Sequence, residues 1–330
     1  MARNDKSRPN QADTPRIVVL DAHTLNPGDN PWDELARLGE LTVYDRSPAS
    51  MIVERARAAE IVLTNKTALA AATLAQLPRL RFVAVLATGY NVVDVAAARA
   101  RAIPVSNVPE YGTDSVAQYV FGLMLELCLH VGDHSTAVRA GDWIGAPDFC
   151  FWKSPLIELA GLSLGIVGCG RIGRRVAELA QAFGMRVIAT GPTRRELPPG
   201  VAWASRDELF AQADVVSLHC PLTADNERFV NAELLERMKA SAFLINTARG
   251  ALIDETALAG ALNSGQIAGA ALDVVRVEPM RADNPLRTAR NCIITPHIAW
   301  ASLSARRRLM QATVRNVEAF LAGKPINVVS

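Results

Sequence analysis

The sequence predicts an α/β protein built on parallel β-sheets, and two observations lead to that prediction. Short apolar runs rich in valine and isoleucine alternate with helical patterns from one end of the chain to the other. This alternation is typical of βαβ units, and such runs suit strands that are covered on both faces of a sheet. The second observation is the length of 330 residues, which exceeds what one hydrophobic core usually sustains and predicts two domains.

The first series of strands occupies the N-terminal third of the chain. Helical stretches such as 51–60 and 93–102 separate the strands from one another. The apolar runs are RIVVLD at 16–21, LTVYD at 41–45, IVLTN at 61–65, RFVAVL at 81–86 and IPVSN at 103–107. We therefore expect the first domain to end near residue 108.

The second domain is expected to open with a long helix from Thr113 to Val131, which Thr113 or Asp114 can cap. A second alternating series follows, and a final helix over about 302–322 is long enough to return the chain to the first domain. The strands of this series are LGIVG, MRVIAT, VVSLHC, AFLINT, IAGAALDVV and CIITP. The predicted domains are therefore 1–110 plus 300–330, and 111–299, with a hinge and a cleft between them.

Charge and composition exclude several classes of function. A net charge of +2 does not supply the concentrated basic face that nucleic-acid binding needs. No apolar run approaches the ~18 to 20 residues that span a membrane, and the first 15 residues lack the apolar region of a secretion signal. The five cysteines include no C-x-x-C pair or Cys/His cluster. We therefore expect a cytoplasmic protein without a metal site.

A glycine motif marks the start of the second series. Gly168, Gly170 and Gly173 stand in G-x-G-x-x-G spacing, directly after a strand and at the start of a helix. The first glycine permits a tight turn, the second lets the backbone approach a pyrophosphate, and the third lets helix and strand pack closely. The helix N-terminus offers N–H groups to the anion. The motif predicts a Rossmann dinucleotide-binding domain; the alternative is a glycine-rich turn without a ligand.

The second strand of this unit, MRVIAT, is not followed by the usual acid. In a Rossmann unit an Asp or Glu about 20 residues after the glycines bonds the adenosine ribose 2′-hydroxyl. Gly191 stands near that position, and Thr193, Arg194 and Arg195 follow it. A carboxylate would repel a 2′-phosphate, whereas a guanidinium matches it with paired donors. We expect NADP(H) as cofactor and NAD(H) as second choice; alternatively, the arginines are solvated and NAD(H) binds without the acid.

Four polar side chains follow later strands of the same series. Arg249 comes after an apolar strand in LINTARGALIDE, Asp273 and Glu278 come after another in AALDVVRVEP, and His297 comes after a third in CIITPHIAWAS. Each one alone has a structural explanation, such as a surface arginine or a loop carboxylate. Ligands of open α/β sheets bind at the carboxyl ends of the strands, so their joint placement beside a nucleotide site points to catalysis.

These segments together resemble the D-isomer-specific 2-hydroxyacid dehydrogenases, over about residues 60–320. The sequences of the motifs YGTDSVAQ, NTARGALIDE and PHIAWAS are most similar to those of the glycerate dehydrogenase and hydroxypyruvate (glyoxylate) reductase branch. The resemblance implies a flavodoxin-like substrate domain beside the Rossmann domain. The motifs that carry it, besides the glycines, are LATGYNVVD (86–94), YGTDSVAQ (111–118), HCPLT (219–223), NTARG (246–250), LDVVRVEP (272–279) and TPHIAWAS (295–302).

The resemblance implies that the protein reduces a small 2-keto acid, glyoxylate or hydroxypyruvate, with a hydride from NAD(P)H. Arg249 would bind the carboxylate and His297 would act as general acid. Glu278 would pair with His297, orienting the ring and favouring its protonated form. Backbone N–H groups of Gly89 and Tyr90 would complete the carboxylate site from the first domain. Closure of the cleft would then expel water.

The resemblance also implies further contacts. Asp273 would bond the nicotinamide carboxamide, and Trp152 and Trp300 either shape the substrate pocket or pack at a domain or subunit boundary. A homodimer joined through the nucleotide domains is expected, with the 113–131 helix and the 135–155 segment at its interface. The remaining cofactor contacts implied are Thr88, Arg171, Ile172, Cys220, Pro221, Thr247 and Ala248.

Two alternatives stay open at this point. The first is a dehydrogenase for a bulkier D-2-hydroxy acid, aliphatic or aromatic. The second is a dinucleotide-sensing binding protein on the same fold, like the family's transcriptional corepressor relatives. Because those relatives also keep the arginine, the glutamate and the histidine, these residues do not separate an enzyme from a scaffold.

Overall fold

The computed structural model describes residues 14–192 and 196–330, so Thr193, Arg194 and Arg195 lie outside the described residues. The chain divides into two compact units. One unit comprises the described residues up to Gly112 together with Ala301–Ser330, and the other comprises Thr113–Trp300. Each unit is built on its own parallel sheet.

The first unit has a five-stranded parallel sheet in the order β2-β1-β3-β4-β5. This is the flavodoxin-like order, which confirms the predicted fold class of this part of the chain. Strands β1, β3 and β4 are valine- and isoleucine-rich and lie almost wholly in the core, because helices cover both faces of such a sheet. The strands are β1 Arg16–Val19, β2 Glu40–Val43, β3 Ile61–Thr64, β4 Phe82–Val85 and β5 Val105–Ser106.

The helices between these strands are short. Where the sequence suggested helical stretches over 51–60 and 93–102, regular α-helix covers only Ile52–Ala56 and Val95–Ala100. The latter is capped by Asp94, whose carboxylate accepts a hydrogen bond from the N–H of Ala97. In chain order the helices are α1 Asp33–Ala36, α2 Ile52–Ala56, α3 Ala71–Ala75 and α4 Val95–Ala100.

The second unit has a seven-stranded parallel sheet in the order β12-β11-β10-β9-β6-β7-β8. Its first six strands in the chain follow the 3-2-1-4-5-6 order of a Rossmann domain, so that prediction is confirmed, and β12 adds a seventh strand. The strand order reverses between β6 and β9, which pair directly. The strands are β6 Ser163–Val167, β7 Arg186–Thr190, β8 Val201–Trp203, β9 Val215–Leu218, β10 Phe243–Asn246, β11 Gly269–Leu272 and β12 Cys292–Ile294.

The long helix at the start of this unit ends two residues earlier than predicted. It stops at Leu129 because His130 adopts a left-handed backbone with φ 48°, and a new helix begins at Val131. Within residues 14–192 and 196–330, no single helix is long and apolar enough to cross a membrane, and these two could do so only as a pair bent by 56°. The helices are α5 Thr113–Leu129, α6 Val131–Arg139, α7 Arg171–Ala182, α8 Arg206–Gln212, α9 Ala232–Glu236 and α10 Glu255–Ser264.

The last helix, α11 Leu303–Leu321, agrees with the predicted span of about 302–322. Ser302 caps it, since its hydroxyl accepts a hydrogen bond from the N–H of Ala305. The helix belongs to the first unit, where Phe320 stacks on Phe82 of β4 with ring centroids 4.5 Å apart. The final helix of the chain thus packs against the sheet of the first unit.

Candidate active site

The carboxyl ends of the parallel strands of the second unit bring several of the predicted site residues to one edge of its sheet. Because all the strands are parallel, the segments that leave them meet there. The glycine turn leaves β6, and Gly191 follows β7 directly. The segments with Cys220, Thr247 and Asp273 leave β9, β10 and β11, and His297 follows β12.

The glycine turn between β6 and α7 leaves open space at its second glycine. Gly168 has φ 98°, and a Cβ atom there would lie 2.6 Å from the backbone nitrogen of Cys220. A Cβ atom at Gly173 would lie 2.4 Å from the carbonyl oxygen of Gly168. At Gly170, in contrast, a Cβ atom would meet nothing within 4 Å. The first and third glycines are therefore required by the protein's own packing, whereas the second borders space that a ligand can fill.

The residues around this turn fit a dinucleotide. No side chain caps the N-terminus of α7 at Gly170, so its N–H groups are suited to a pyrophosphate. In the part of the chain that the structure describes, the Thr247 hydroxyl is buried without a hydrogen-bond partner, and a buried polar atom of this kind calls for one. The other predicted contacts on this edge are Arg171 and Ile172 in the first turn of α7, Cys220 and Pro221 after β9, and Ala248 after β10.

The strand expected to end beside the adenosine ribose is β7, which pairs with β6. It ends at Thr190, so Gly191 does occupy the position after the strand where an acid would bond the ribose. Arg174 of α7 donates a hydrogen bond to the carbonyl of Glu196 and so holds the far side of this connection. The predicted phosphate contacts Thr193, Arg194 and Arg195 lie outside the described residues.

The predicted acid–base pair is in contact. His297 Nδ1 and Glu278 Oε2 are 2.7 Å apart, and the two side chains are 28% and 36% exposed. A carboxylate can only accept a hydrogen bond, so Nδ1 carries the proton of this bond and Nε2 is left for another partner. The other Glu278 oxygen accepts from the N–H of Val275 at 3.3 Å, which fixes the carboxylate that orients the ring.

The backbone that carries this histidine has an uncommon conformation. His297 has φ 58°, in the left-handed region that residues other than glycine seldom adopt. The indole Nε1 of Trp300 donates a hydrogen bond to the His297 carbonyl at 2.9 Å. Trp300, predicted from the resemblance to contact substrate, therefore also supports the loop of the histidine.

Arg249 lies in a tight turn after β10, and its exposed side chain donates from Nη1 to the Ala248 carbonyl at 2.8 Å. The buried Asn246 amide shapes this turn. It accepts from the N–H of Ala248 and donates to the Arg249 carbonyl, both at 2.9 Å. A Cβ atom at Gly250 would lie 2.0 Å from the carbonyl carbon of Val275, so the arginine turn packs directly against the segment that leads to Glu278.

Asn246 and Gly250 were not among the predicted site residues. The motif NTARG nevertheless indicates a tight turn, because a strand ends in an asparagine and a glycine follows four residues later. Asparagine at such a position often bonds the backbone two residues on. The packing of Gly250 on Val275 joins segments 25 residues apart, and no spacing rule predicts it.

Three predicted contacts belong to the first unit. Thr88, Gly89 and Tyr90 lie on the loop after β4. The Thr88 hydroxyl donates to the carbonyl of Val108 at 2.8 Å, and the Tyr90 side chain is exposed. The roles of these residues toward substrate and cofactor stay predictions.

Burial shifts the pKa of four cysteines and of His219. Burial raises the pKa of Cys128 to about 11 and that of Cys292 to about 12. It also raises the pKa of Cys169 and Cys220 beside the glycine turn, so these thiols stay protonated. Burial lowers the pKa of His219 to about 4, so its imidazole is neutral at pH 7. Within the described ranges no group of three or more His, Cys, Asp or Glu could hold a metal ion.

A Rossmann sheet with its glycine turn, together with a histidine–glutamate pair and an arginine on the same edge, defines a class of dinucleotide-dependent dehydrogenase. The sequence model of the D-isomer-specific 2-hydroxyacid dehydrogenase NAD-binding domain matches residues 121–299. The chain belongs to the D-isomer-specific 2-hydroxyacid dehydrogenase family.

Three relatives illustrate the similarity. The chain is 49% identical to a hydroxypyruvate reductase of Blautia hydrogenotrophica, over 96% of this chain and 99% of the relative. It is 46% identical to a glycerate dehydrogenase of Methylorubrum extorquens, with the same coverage of 96% and 99%. Among solved structures, the NADPH-dependent glyoxylate/hydroxypyruvate reductase of Sinorhizobium meliloti in complex with NADP and malonate is 31% identical, with a TM-score of 0.82 and coverage of 96% and 97%.

Proposed function

We propose that the protein reduces glyoxylate or hydroxypyruvate to the corresponding 2-hydroxy acid with NAD(P)H. The observation that carries the proposal is the contact between His297 and Glu278 at 2.7 Å, on the sheet edge that also holds the glycine turn. The names of the relatives at 49% and 46% identity point to the same small substrates. These relatives favour a small 2-keto acid over a bulkier one.

His297 is the proton donor in this proposal. Its Nε2 would deliver a proton to the substrate oxygen as negative charge develops there. The bond from Nδ1 to Glu278 would hold the ring in place and orient it toward the substrate. The cofactor, when bound, supplies the hydride. In the oxidative direction the histidine must begin neutral, so we expect reduction to be favoured at lower pH than oxidation.

Arg249 is proposed to bind the substrate carboxylate, because a guanidinium offers paired donors to a planar anion. Its turn is held by Asn246 and by the packing of Gly250 on Val275. The arginine is thereby placed beside the segment that carries Glu278, which supports its assignment to the same substrate. Gly89 and Tyr90 are proposed as further donors to the carboxylate, and Trp300 as a wall of the substrate site.

We further infer a preference for NADP(H) over NAD(H). The position after β7 is occupied by Gly191, which cannot repel a 2′-phosphate, and Arg194 and Arg195 follow in the sequence. The S. meliloti relative, described as NADPH-dependent, was solved with NADP. An arginine ~4 Å from a phosphate near a protein surface interacts by ~4 kcal/mol before desolvation, which exceeds what a tenfold preference requires.

Arg194→Ala is expected to raise the KM for NADPH by about tenfold or more while leaving the KM for NADH nearly unchanged. The measurement is kcat/KM for about ten 2-keto acids with each cofactor, which tests substrate class at the same time. Arg186→Ala is the matched control, since Arg186 is an exposed arginine at the opposite end of β7. A wild-type preference for NADH would contradict the inferred cofactor, and negligible turnover with every acid would contradict the proposed activity.

A homodimer through the dinucleotide-binding unit is also proposed. The segment after α6 exposes large apolar side chains, among them Ile144 at 87% and Phe149 at 89%. Several large apolar side chains exposed within one short segment are typical of protein interfaces. The segment falls within 135–155, where the resemblance places the dimer contact.

The double substitution Ile144→Asp with Phe149→Asp is expected to convert a dimer into a monomer in sedimentation velocity, because two buried and unpaired charges at an interface are costly. Leu321→Asp, at an exposed apolar position of α11, is the control and should leave the dimer intact. A wild-type monomer, or a double variant that stays dimeric, would contradict this interface.

We also propose that the protein works in the reducing compartment of the cytoplasm. All five cysteines are free, and the pKa values of four of them are raised by burial. Free thiols persist where glutathione and thioredoxin keep them reduced.

A further inference from the structure

The Asp273 carboxylate lies beneath the loop that carries His297. The residue is 1% exposed, and three donors of the described part of the chain reach its oxygens. Oδ1 accepts from the Thr295 hydroxyl at 2.7 Å and from the N–H of Ile298 at 2.9 Å. Oδ2 accepts from the N–H of Ala299 at 2.8 Å. One carboxylate thus holds the chain on both sides of the histidine.

The backbone of the same loop is held at further points. The N–H of His297 donates to the Asp273 carbonyl at 2.8 Å, and the Trp300 indole donates to the His297 carbonyl. The Ser115 hydroxyl, in the first turn of α5, donates to the carbonyl of Ala299 at 2.7 Å. Each of these bonds fixes a backbone group next to the imidazole.

This loop needs such support because His297 is in the left-handed region, with φ 58°. A histidine leaves that region readily unless its surroundings hold it there. Rotation of the backbone at this residue would swing the imidazole away from Glu278, which now lies 2.7 Å from Nδ1. The conformation that pairs the two side chains is therefore maintained by the bonds to Asp273.

We propose that Thr295 and Asp273 are positioning residues that hold His297 in its working orientation toward Glu278 and substrate. This inference rests on the proposed function of His297 as proton donor. It extends the predicted role of Asp273, which was a contact to the nicotinamide. A carboxylate has about four acceptor positions, and three are filled by the loop among the described residues, so Oδ2 would have one for the nicotinamide carboxamide. Asp273 would then link a bound cofactor to the loop of the proposed general acid.

A substitution at Thr295 tests the support of the loop apart from cofactor binding. The Thr295 hydroxyl donates to the Asp273 carboxylate, but Thr295 is not among the predicted cofactor contacts. Thr295→Val removes one donor and keeps the branched shape of the side chain. We expect kcat for 2-keto acid reduction to fall about tenfold, as a hydrogen bond to a charged group implies. The KM for the keto acid and the Kd for NADPH should change less than twofold, because neither ligand loses a contact.

Thr295→Ser is expected to restore kcat to within about threefold, because the serine hydroxyl can make the same bond. Thr313→Val is the matched control: Thr313 is a buried threonine of α11, and its hydroxyl donates to the Leu309 carbonyl within the same helix. This control should lower the melting temperature without lowering kcat. A Thr295→Val enzyme with wild-type kcat, or a serine variant as impaired as the valine variant, would overturn the proposal.

Amide hydrogen exchange of residues 297–299 tests the loop without any turnover. Exchange of these amides should accelerate in Thr295→Val and return to the wild-type rate in Thr295→Ser. If the wild-type protein reduces no 2-keto acid but the exchange changes as expected, the proposed activity fails while the support of the loop stands. If the wild type is active and neither kcat nor exchange responds to Thr295→Val, the positioning role fails alone.

Discussion

Replacement of His297 by glutamine is expected to lower kcat for 2-keto acid reduction by about 10²-fold or more. Glutamine keeps a polar amide near the position of the ring, so the loop and the bond to Glu278 can survive. It cannot deliver a proton to the substrate oxygen. Because this proton is needed only in the transition state, its loss lowers kcat without weakening the binding of substrate. The measurement is steady-state kcat and KM with saturating cofactor, together with the Kd for NADPH, which should not change.

The control for this experiment is His134→Gln in the same unit. His134 contacts only backbone groups among its described hydrogen bonds, the carbonyl of His130 and the N–H of Lys153. Its replacement should leave kcat within about twofold, since nothing places it at the strand edge. In addition, the opposite pH dependences of the forward and reverse reactions should flatten in His297→Gln. Retention of near wild-type kcat would refute the role of His297 as general acid.

Arg249→Lys is expected to lower kcat/KM for the keto acid by about 10- to 100-fold, in keeping with the strength of hydrogen bonds to a charged group. The substitution preserves the charge, but the ammonium is a point donor and cannot grip a carboxylate with two parallel bonds. The loss should fall on both KM and kcat, because the carboxylate is held in the ground state and also aligned for reaction. Steady-state kinetics with glyoxylate and hydroxypyruvate measure it.

Arg290→Lys provides the matched comparison for Arg249. Arg290 is an exposed arginine of the same unit, located before β12 at the amino end of that strand. Since ligands of such sheets bind at the carboxyl ends, this variant should behave as wild type. An Arg249→Lys enzyme with unchanged kcat/KM would mean that another group holds the substrate carboxylate.

Much of the fold could be predicted because its signals are local. The alternation of buried runs with helical patterns led to two parallel sheets, and the spacing of Gly168, Gly170 and Gly173 led to the turn after β6. The long helix was predicted two residues too far because His130 adopts a left-handed backbone. The apolar pattern of α5 continues into Val131, so periodicity does not mark this break.

From the sequence alone, the α/β fold class and the residues that could take part in catalysis could therefore be predicted. Periodicity and turn residues are read within one strand or helix, so they predict elements and the edge at which strands end. The tertiary structure decided how those residues meet. The bond from His297 to Glu278 spans 19 residues, that from Ala299 to Asp273 spans 26, and that from Ser115 to Ala299 spans 184. Such contacts depend on the pairing of β11 with β12 and on the packing of whole elements, which bring together residues that are far apart in the sequence.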